Sequence, residues 1–190
     1  WRISSKSLPP VKQPDLEKMS VPQLLEQFRS PERWTRYQVR RLLGDMPAQK
    51  VLPPTLEFIA NSRKDPQADR LLLECASIFQ AHDHYHEAVL RQLLGSENPL
   101  LVAYGGRLTG EWRGQSKTAA ETLIRLCSHD DPRVRLEAIV ACGNVANAPQ
   151  VIEGPLDALD QPRDRHIDYA VKQVVKKLRP QWEPVFANGN

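Results

Sequence analysis

A polar residue followed by proline recurs at nearly even intervals along this chain of 190 residues. Ser, Asp and Asn are favoured N-caps because their short side chains accept hydrogen bonds from the free amides of a first helical turn. Proline suits the next position, where its missing N–H removes no hydrogen bond. Each pair therefore predicts a helix start, and the pair with Gln is the weakest. The pairs are Ser30-Pro31, Asp65-Pro66, Asn98-Pro99, Asp131-Pro132 and Gln161-Pro162, so successive prolines are 35, 33, 33 and 30 residues apart.

An apolar run long enough for a helix follows each pair, and a second such run separates one pair from the next. One repeat is therefore two helices, with a period of 30–35 residues. Because neither helix can bury its apolar face alone, neighbouring pairs must stack, as they do in a solenoid. The sequence predicts an all-α solenoid of about 4–5 repeats and roughly ten helices.

The type of repeat follows from the patterns that are present. Tetratricopeptide and ankyrin repeats have similar periods, but the Trp/Gly/Tyr pattern of the first and the Thr-Pro-Leu-His pattern of the second are missing. Residues 131–141 read DPRVRLEAIVA, which is the form of a HEAT-type helix. We therefore predict HEAT-like helix pairs.

The composition changes near residue 20. Residues 4–18 hold three prolines and few large apolar side chains, which is typical of an extended linker. From Ser20 onward the spacing becomes helical, with Leu24, Leu25 and Phe28 on one face. The predicted boundaries are a linker after a preceding domain over 1–19, the solenoid over 20–182, and a tail or linker over 183–190.

Local features add further expectations. The pair Gly105-Gly106 lies inside a helix, where each glycine costs roughly 1 kcal/mol relative to alanine, so we expect a neighbouring helix to approach it closely. The pair Pro53-Pro54 predicts a helix start. Trp34 and Trp112 fall on apolar faces and are predicted to be core residues.

Composition excludes several classes of protein. Apolar residues make up 41% and charged residues 26%, so the chain can form a core and is not a disordered tail. The net charge of +3 is too small to indicate a nucleic-acid binder by itself. No apolar run approaches the roughly 18–20 residues of a membrane span, and no signal peptide is recognised. Because the chain starts at Trp1, we expect it to be a fragment of a larger protein.

Histidines and cysteines show no converging pattern of metal ligands or catalytic groups. Each of Cys75, Cys127 and Cys142 lies in an apolar helical run, which predicts a buried core residue. The His-Asp-His-Tyr-His run at 82–86 is predicted to be a solvated turn, because neighbours two apart do not share a face. The His-Asp-Asp run at 129–131 is predicted to be a turn and a cap. We therefore expect no catalytic residue, no metal and no bound cofactor in these 190 residues.

Two basic clusters are candidates for a partner surface. Arg33, Arg36, Arg40 and Arg41 follow the first Ser-Pro pair, and they mark either a solvated face or a surface for an anionic partner. The second cluster lies near a helix C-terminus, where cations are favoured by the helix dipole. Its members are Lys172, Lys176, Lys177 and Arg179.

Two further arginines, Arg133 and Arg135, have a predicted structural role. Arg135 follows the cap at Asp131, together with Arg133. In stacked repeats such positions often pair with an acidic residue of the adjacent repeat, so we expect a structural ion pair and no catalytic function.

Longer segments resemble a known family. The opening WRI, the proline-rich linker, and the segment from PDLEKMS through SPERWTRYQVRRLL resemble the HEAT segment of planctomycete-type membrane-bound dehydrogenase-like proteins. The segments DDPRVRLEAIVA, DALDQPRDRHIDYAV and LRPQW agree with it, and the resemblance covers nearly the whole chain.

The resemblance implies a spacer in a secreted, multidomain redox protein. In that family a β-propeller similar to sugar dehydrogenases precedes the HEAT repeats, and a c-type cytochrome with covalent haem follows them. Residues 1–3 would be the last propeller strand, and Pro180 would begin the exit towards the cytochrome. The expected partners are those two domains or another protein. The expected location is the periplasm or another extracytoplasmic site, either free or associated with a membrane. No functional residue of the family falls in this chain.

Two other functions are compatible with the sequence. One is a general protein-interaction module of an unrelated pathway, which would use the same surface. The other is an enzyme, because HEAT-like DNA glycosylases and bilin lyases use this architecture and fold alone does not fix function. A glycosylase needs a strongly basic groove with aromatic side chains, and this chain has near-balanced charge and 6% aromatics. We therefore predict a non-catalytic scaffold.

Overall fold

The computed structural model describes residues 13–112, 115–145 and 148–187. Within these ranges the regular structure is entirely helical, with ten α-helices and no strand. The predicted all-α class and the predicted number of helices are confirmed. Residues 1–3 and most of the predicted linker lie outside the described residues.

The chain divides into two compact units, of which the first ends at His82 and the second begins at Asp83. In the first unit α1 packs against α3 and α2 packs against α4, so helices alternate in the stacking order of a solenoid. Leu24, Phe28, Val39, Val51 and Phe79 are buried between them. The α-helices of this unit are Val21–Glu26 (α1), Arg33–Asp45 (α2), Ala48–Asn61 (α3) and Ala68–Ala81 (α4).

The second unit repeats this order. Helix α6 packs against α8, α8 packs against α10, and α7 packs against α9. The guanidinium of Arg107 donates to Glu137 with an Nε–Oε2 distance of 3.0 Å and so joins α6 to α8. The α-helices of this unit are Glu87–Leu94 (α5), Pro99–Glu111 (α6), Ala119–Cys127 (α7), Pro132–Cys142 (α8), Glu153–Asp157 (α9) and Arg165–Ala187 (α10).

Two of the polar-proline pairs cap helices as predicted. The Oδ1 atom of Asn98 accepts from the amide of Leu100 at 3.0 Å, and that of Asp131 accepts from Arg133 at 2.8 Å. The proline is then the first helical residue. The other three pairs lie in the turns before α2, α4 and α10, and each helix begins two or three residues after the proline. For α10 the cap is Asp164, whose Oδ1 accepts from the amide of Ile167 at 3.0 Å.

Three boundaries differ from the sequence predictions. Helix α3 begins at Ala48, so Pro53-Pro54 lies inside it instead of starting it. The helix around these prolines buries Val51, Leu52, Thr55, Phe58 and Ile59. Residues Leu16–Lys18, within the predicted linker, form a 3₁₀ turn that buries Leu16 and contacts α2. The predicted tail over 183–190 begins inside α10, which continues through Pro180 and Pro184 to Ala187.

The glycines of α6 explain how closely its neighbours pack. A β-carbon on Gly105 would lie 2.9 Å from Leu94 Cδ2 of α5, so the expected close approach is confirmed there. The packing around Gly106 is looser, because a β-carbon there would have Leu126 Cδ1 as its nearest neighbour, at 3.4 Å. Trp112, just beyond α6, is buried as predicted and meets the ring of Tyr85 edge-on at 5.6 Å.

Candidate interaction surfaces

The four arginines of α2 separate into two pairs. Arg36 and Arg40 turn towards α4, where Glu74 is buried with 8% of its surface exposed. Arg36 Nε lies 3.1 Å from Glu74 Oε1, and Arg40 Nη1 lies 3.1 Å from Glu74 Oε2. The guanidinium groups of Arg36 and Arg40 are therefore paired inside the first unit, where they hold α2 against α4.

Arg33 and Arg41 lie instead on the outer face of α2, together with two aromatic side chains. Arg33, Tyr37 and Arg41 are spaced four residues apart and share one side of the helix, with Trp34 three residues before Tyr37. Trp34 is 44% exposed and Tyr37 is 50% exposed. We call these four residues the α2 face. The prediction that Trp34 is a core residue is wrong, because α2 buries the stripe of Thr35, Val39 and Leu43.

The second basic cluster lies on α10 and is also divided. Lys177 Nζ donates to Asn144 Oδ1 at 2.9 Å, beside the end of α8. Arg179 pairs with Glu183 at 2.6 Å, and this hydrogen bond is the main cause of the lowered pKa of the Glu183 carboxyl. Lys172 and Lys176 are exposed, and within the described part of the chain neither has a carboxylate oxygen within 4 Å.

An apolar groove that the sequence analysis missed lies beside these lysines. It runs between α10 and the segment 149–160, and it consists of two depressions of about 610 Å³ and 570 Å³. Both depressions are lined by Leu156, Val175 and Trp182. The signal was present in the sequence, since Val175, Trp182 and Phe186 are spaced seven and four residues apart. The family resemblance instead implies that the exit from the solenoid begins at Pro180. We call this feature the α10 groove.

Arg135 has the structural role that was predicted for it, but its partners are carbonyl groups. Its guanidinium donates to the carbonyl oxygens of His129 at 2.7 Å and Asp130 at 2.8 Å, and also to that of Pro162 in the next repeat. The expected acidic partner is therefore wrong. Arg36 binds the carbonyl of Ser30 at 2.7 Å in the same way, six residues before it in the chain.

The buried cysteines are core residues, as predicted. The Sγ atoms of Cys127 and Cys142 lie 3.8 Å apart, and their contact, with burial, raises the pKa of the Cys127 thiol. Burial also raises the pKa of Cys75. Thiols held protonated in this way are poor nucleophiles and poor metal ligands.

The histidines near the end of α4 serve the local backbone. The ring of His82 contacts the carbonyl oxygen of Leu43 at 3.1 Å, and Nδ1 of His86 accepts from the amide of Val89 at 3.4 Å as the cap of α5. Among the residues that the structure describes, no group of three or more His, Cys, Asp or Glu side chains could hold a metal ion. A search of the same residues finds no helix with the length and hydrophobicity of a membrane span.

Comparison with known proteins adds no assignment. No family model matches the chain, and a search of curated proteins finds no significant match.

Proposed function

We propose that this chain is a non-catalytic scaffold of HEAT-like helix pairs that binds a protein domain through the α2 face. We further propose that it spaces a dehydrogenase-like propeller and a c-type cytochrome within a larger extracytoplasmic protein. The observation that carries the binding role is the exposure of Trp34 and Tyr37 between two outward-facing arginines. The spacing role rests on the resemblance of the segments quoted above.

The composition of the α2 face is that of a binding site. Trp, Tyr and Arg are the residues most enriched among those that dominate the binding energy of protein interfaces. Large aromatic rings left half in water gain free energy when a partner covers them. A face that carries both aromatic rings and cations favours a partner with apolar contacts beside acidic groups.

The inner side of α2 supports this role by fixing the helix before binding. Glu74 holds Arg36 and Arg40, and Arg36 also binds the carbonyls of Ser30 and Pro31 at the start of the helix. A surface that is already ordered loses less conformational entropy when it binds. The α2 face is therefore presented on a rigid support.

The binding role is tested by calorimetric titration of the chain with the propeller and cytochrome domains produced separately. Trp34→Ala and Arg41→Glu should each weaken the binding of one domain by about tenfold or more, because each removes a large contact of the α2 face. Arg63→Glu is the matched control, since Arg63 is an exposed arginine of the same unit outside α2. Absence of binding to either domain, or equal affinities for all three variants, would overturn the proposal.

The redox setting is tested separately by a haem stain and a visible absorbance spectrum of the native full-length protein. A covalently bound haem supports the spacing role. Absence of covalent haem would overturn the proposed cytochrome neighbour, and the chain would then be a scaffold for another partner.

A further inference from the structure

The α10 groove is a second candidate for binding, and it is independent of the α2 face. Its floor is formed by Val175 and Trp182, and its rims carry Leu156, Val185 and Phe186. Phe186 is 77% exposed, and Leu156 and Val185 are more than two-fifths exposed. Large apolar side chains grouped in this way mark interaction sites on soluble proteins.

The shape of the groove fits a helix better than a compact small molecule. The two depressions share Leu156, Val175 and Trp182, and the second continues the first along α10 to Leu159 and Lys172. A partner helix lays successive apolar side chains, at spacings of three and four residues, into depressions that follow each other in this way.

The floor of the groove is held in place by bonds within the second unit. Trp182 Nε1 donates to the carbonyl oxygen of Val175 at 3.0 Å, which satisfies the only polar atom of the indole ring and fixes its orientation. Val151 and Ala158, which lie under the opposite wall, are fully buried. The groove is therefore formed before a partner arrives.

The charges beside the groove determine which kind of helix fits. Lys172 and Lys176 line the α10 side of the second depression, together with Arg179, whose charge is paired with Glu183. Asp168, on the same side, is paired with Arg163 at 2.8 Å, so it neutralises little of this positive charge. The opposite wall carries Glu153 in the first depression. A partner that presents carboxylates to α10 is therefore complementary to the groove.

We propose that the α10 groove binds an amphipathic helix of another protein, with an apolar stripe seated on Val175 and Trp182 and with Asp or Glu side chains facing Lys172 and Lys176. Anionic membrane is the other surface that a basic and apolar strip could meet. Glu153 lines the first depression and is repelled by an anionic bilayer, whereas a helix can present its carboxylates to Lys172 and Lys176 alone.

The test uses fluorescence anisotropy with a labelled 16-residue peptide as the probe. The peptide has Leu at positions i, i+4, i+7 and i+11 and Glu on one flank, and a second peptide has Lys in place of every Glu. The Glu peptide should bind at least about tenfold more tightly than the Lys peptide in low salt, and high salt should reduce this difference.

Substitutions on the exposed rim locate the bound peptide. Phe186→Ser should weaken binding by about tenfold, whereas Tyr169→Ser should not change it, because Tyr169 is an exposed aromatic residue of α10 outside the groove. Lys176→Glu should weaken binding of the Glu peptide by about threefold to tenfold. Lys177→Glu is its control, because Lys177 turns towards Asn144.

Three outcomes would overturn the proposal. The first is equal affinity for the two peptides, or no binding of either. The second is a concentration-dependent dimer that Phe186→Ser abolishes, which would show that a second copy of the chain covers the groove. The third is flotation with phosphatidylserine vesicles that depends on Phe186. None of these outcomes bears on the α2 face, so the two proposals fail separately.

Discussion

The backbone of Ala141 in α8 lies directly against Gly110 in α6. A β-carbon added to Gly110 would come within 2.7 Å of Ala141 Cα and within 2.9 Å of its carbonyl oxygen. These are backbone atoms of a packed helix, so they do not move aside as the tip of a flexible side chain can. The contact between α6 and α8 therefore depends on glycine at this position.

Gly110→Ala should destabilise the protein by about 1–3 kcal/mol, because the overpacking outweighs the gain in helix propensity. Gly106→Ala is the matched control in the same helix. Its new methyl group would meet Leu126 Cδ1 at 3.4 Å, so this variant should be neutral or more stable by up to about 1 kcal/mol. Urea unfolding followed by circular dichroism measures both variants. Equal stabilities for the two would contradict the close packing of α6 on α8.

Glu74 joins α2 to α4 through two arginines, so we expect its charge to contribute to the stability of the first unit. Glu74→Gln keeps the size of the side chain but removes the charge that Arg36 and Arg40 share. The expected loss of stability is about 1–3 kcal/mol, since hydrogen bonds to charged groups are worth more than neutral ones. Glu57→Gln, on the neighbouring α3, is the control, because no ion pair of Glu57 occurs among the described residues. The measurement is again urea unfolding, and a loss as small as that of the control would show that this ion pair adds nothing to stability.

Periodicity in the sequence was enough to predict the helices, because each one depends on local residues. The apolar run and the cap at Asp131 are sufficient to define α8, and the burial of Cys142 follows from its place in that run. The exposure of Trp34 is also predictable from the sequence. Thr35, Val39 and Leu43 are spaced four residues apart and form the buried stripe of α2, and Trp34 lies outside this stripe.

The sequence does not predict which acidic residue pairs with each arginine. Arg36 and its partner Glu74 are 38 residues apart, so no local pattern identifies that partner. The α10 groove was missed for a different reason. Proline removes hydrogen bonds from a helix, so Pro180 favours a helix end, whereas α10 continues past it and Trp182 packs against the core of the second unit.

The side chain of Asp131 caps α8, and we expect this cap to contribute to stability. Asp131→Ala removes the acceptor for the amides of Arg133 and Val134, and the expected loss of stability is about 1 kcal/mol. Asp130→Ala is the control, because the part of Asp130 that binds Arg135 is its backbone carbonyl, which the substitution keeps. Thermal unfolding should therefore show a lower Tm for the first variant alone. A similar fall in Tm for both would indicate a general charge effect and no specific cap.

The cap of α5 should make stability depend on pH, because it is a histidine. Burial, with a smaller effect of His84, lowers the pKa of His86 below its usual value of 6.5. The folded state therefore binds fewer protons than the unfolded state just below pH 6.5, and stability must fall as the pH falls through this range. In addition, a protonated ring cannot accept the hydrogen bond from the amide of Val89.

His86→Asn should remove this part of the pH dependence, since asparagine caps a helix equally well in both conditions. The measurement is the free energy of unfolding at a series of pH values on both sides of the usual histidine pKa. Wild type should lose more stability than the variant as the pH falls, and the two should be similar above that pKa. His166→Asn is the control, because His166 is an exposed histidine that caps no helix, and it should keep the slope of the wild type. A slope unchanged by His86→Asn would show that the cap of α5 does not respond to pH.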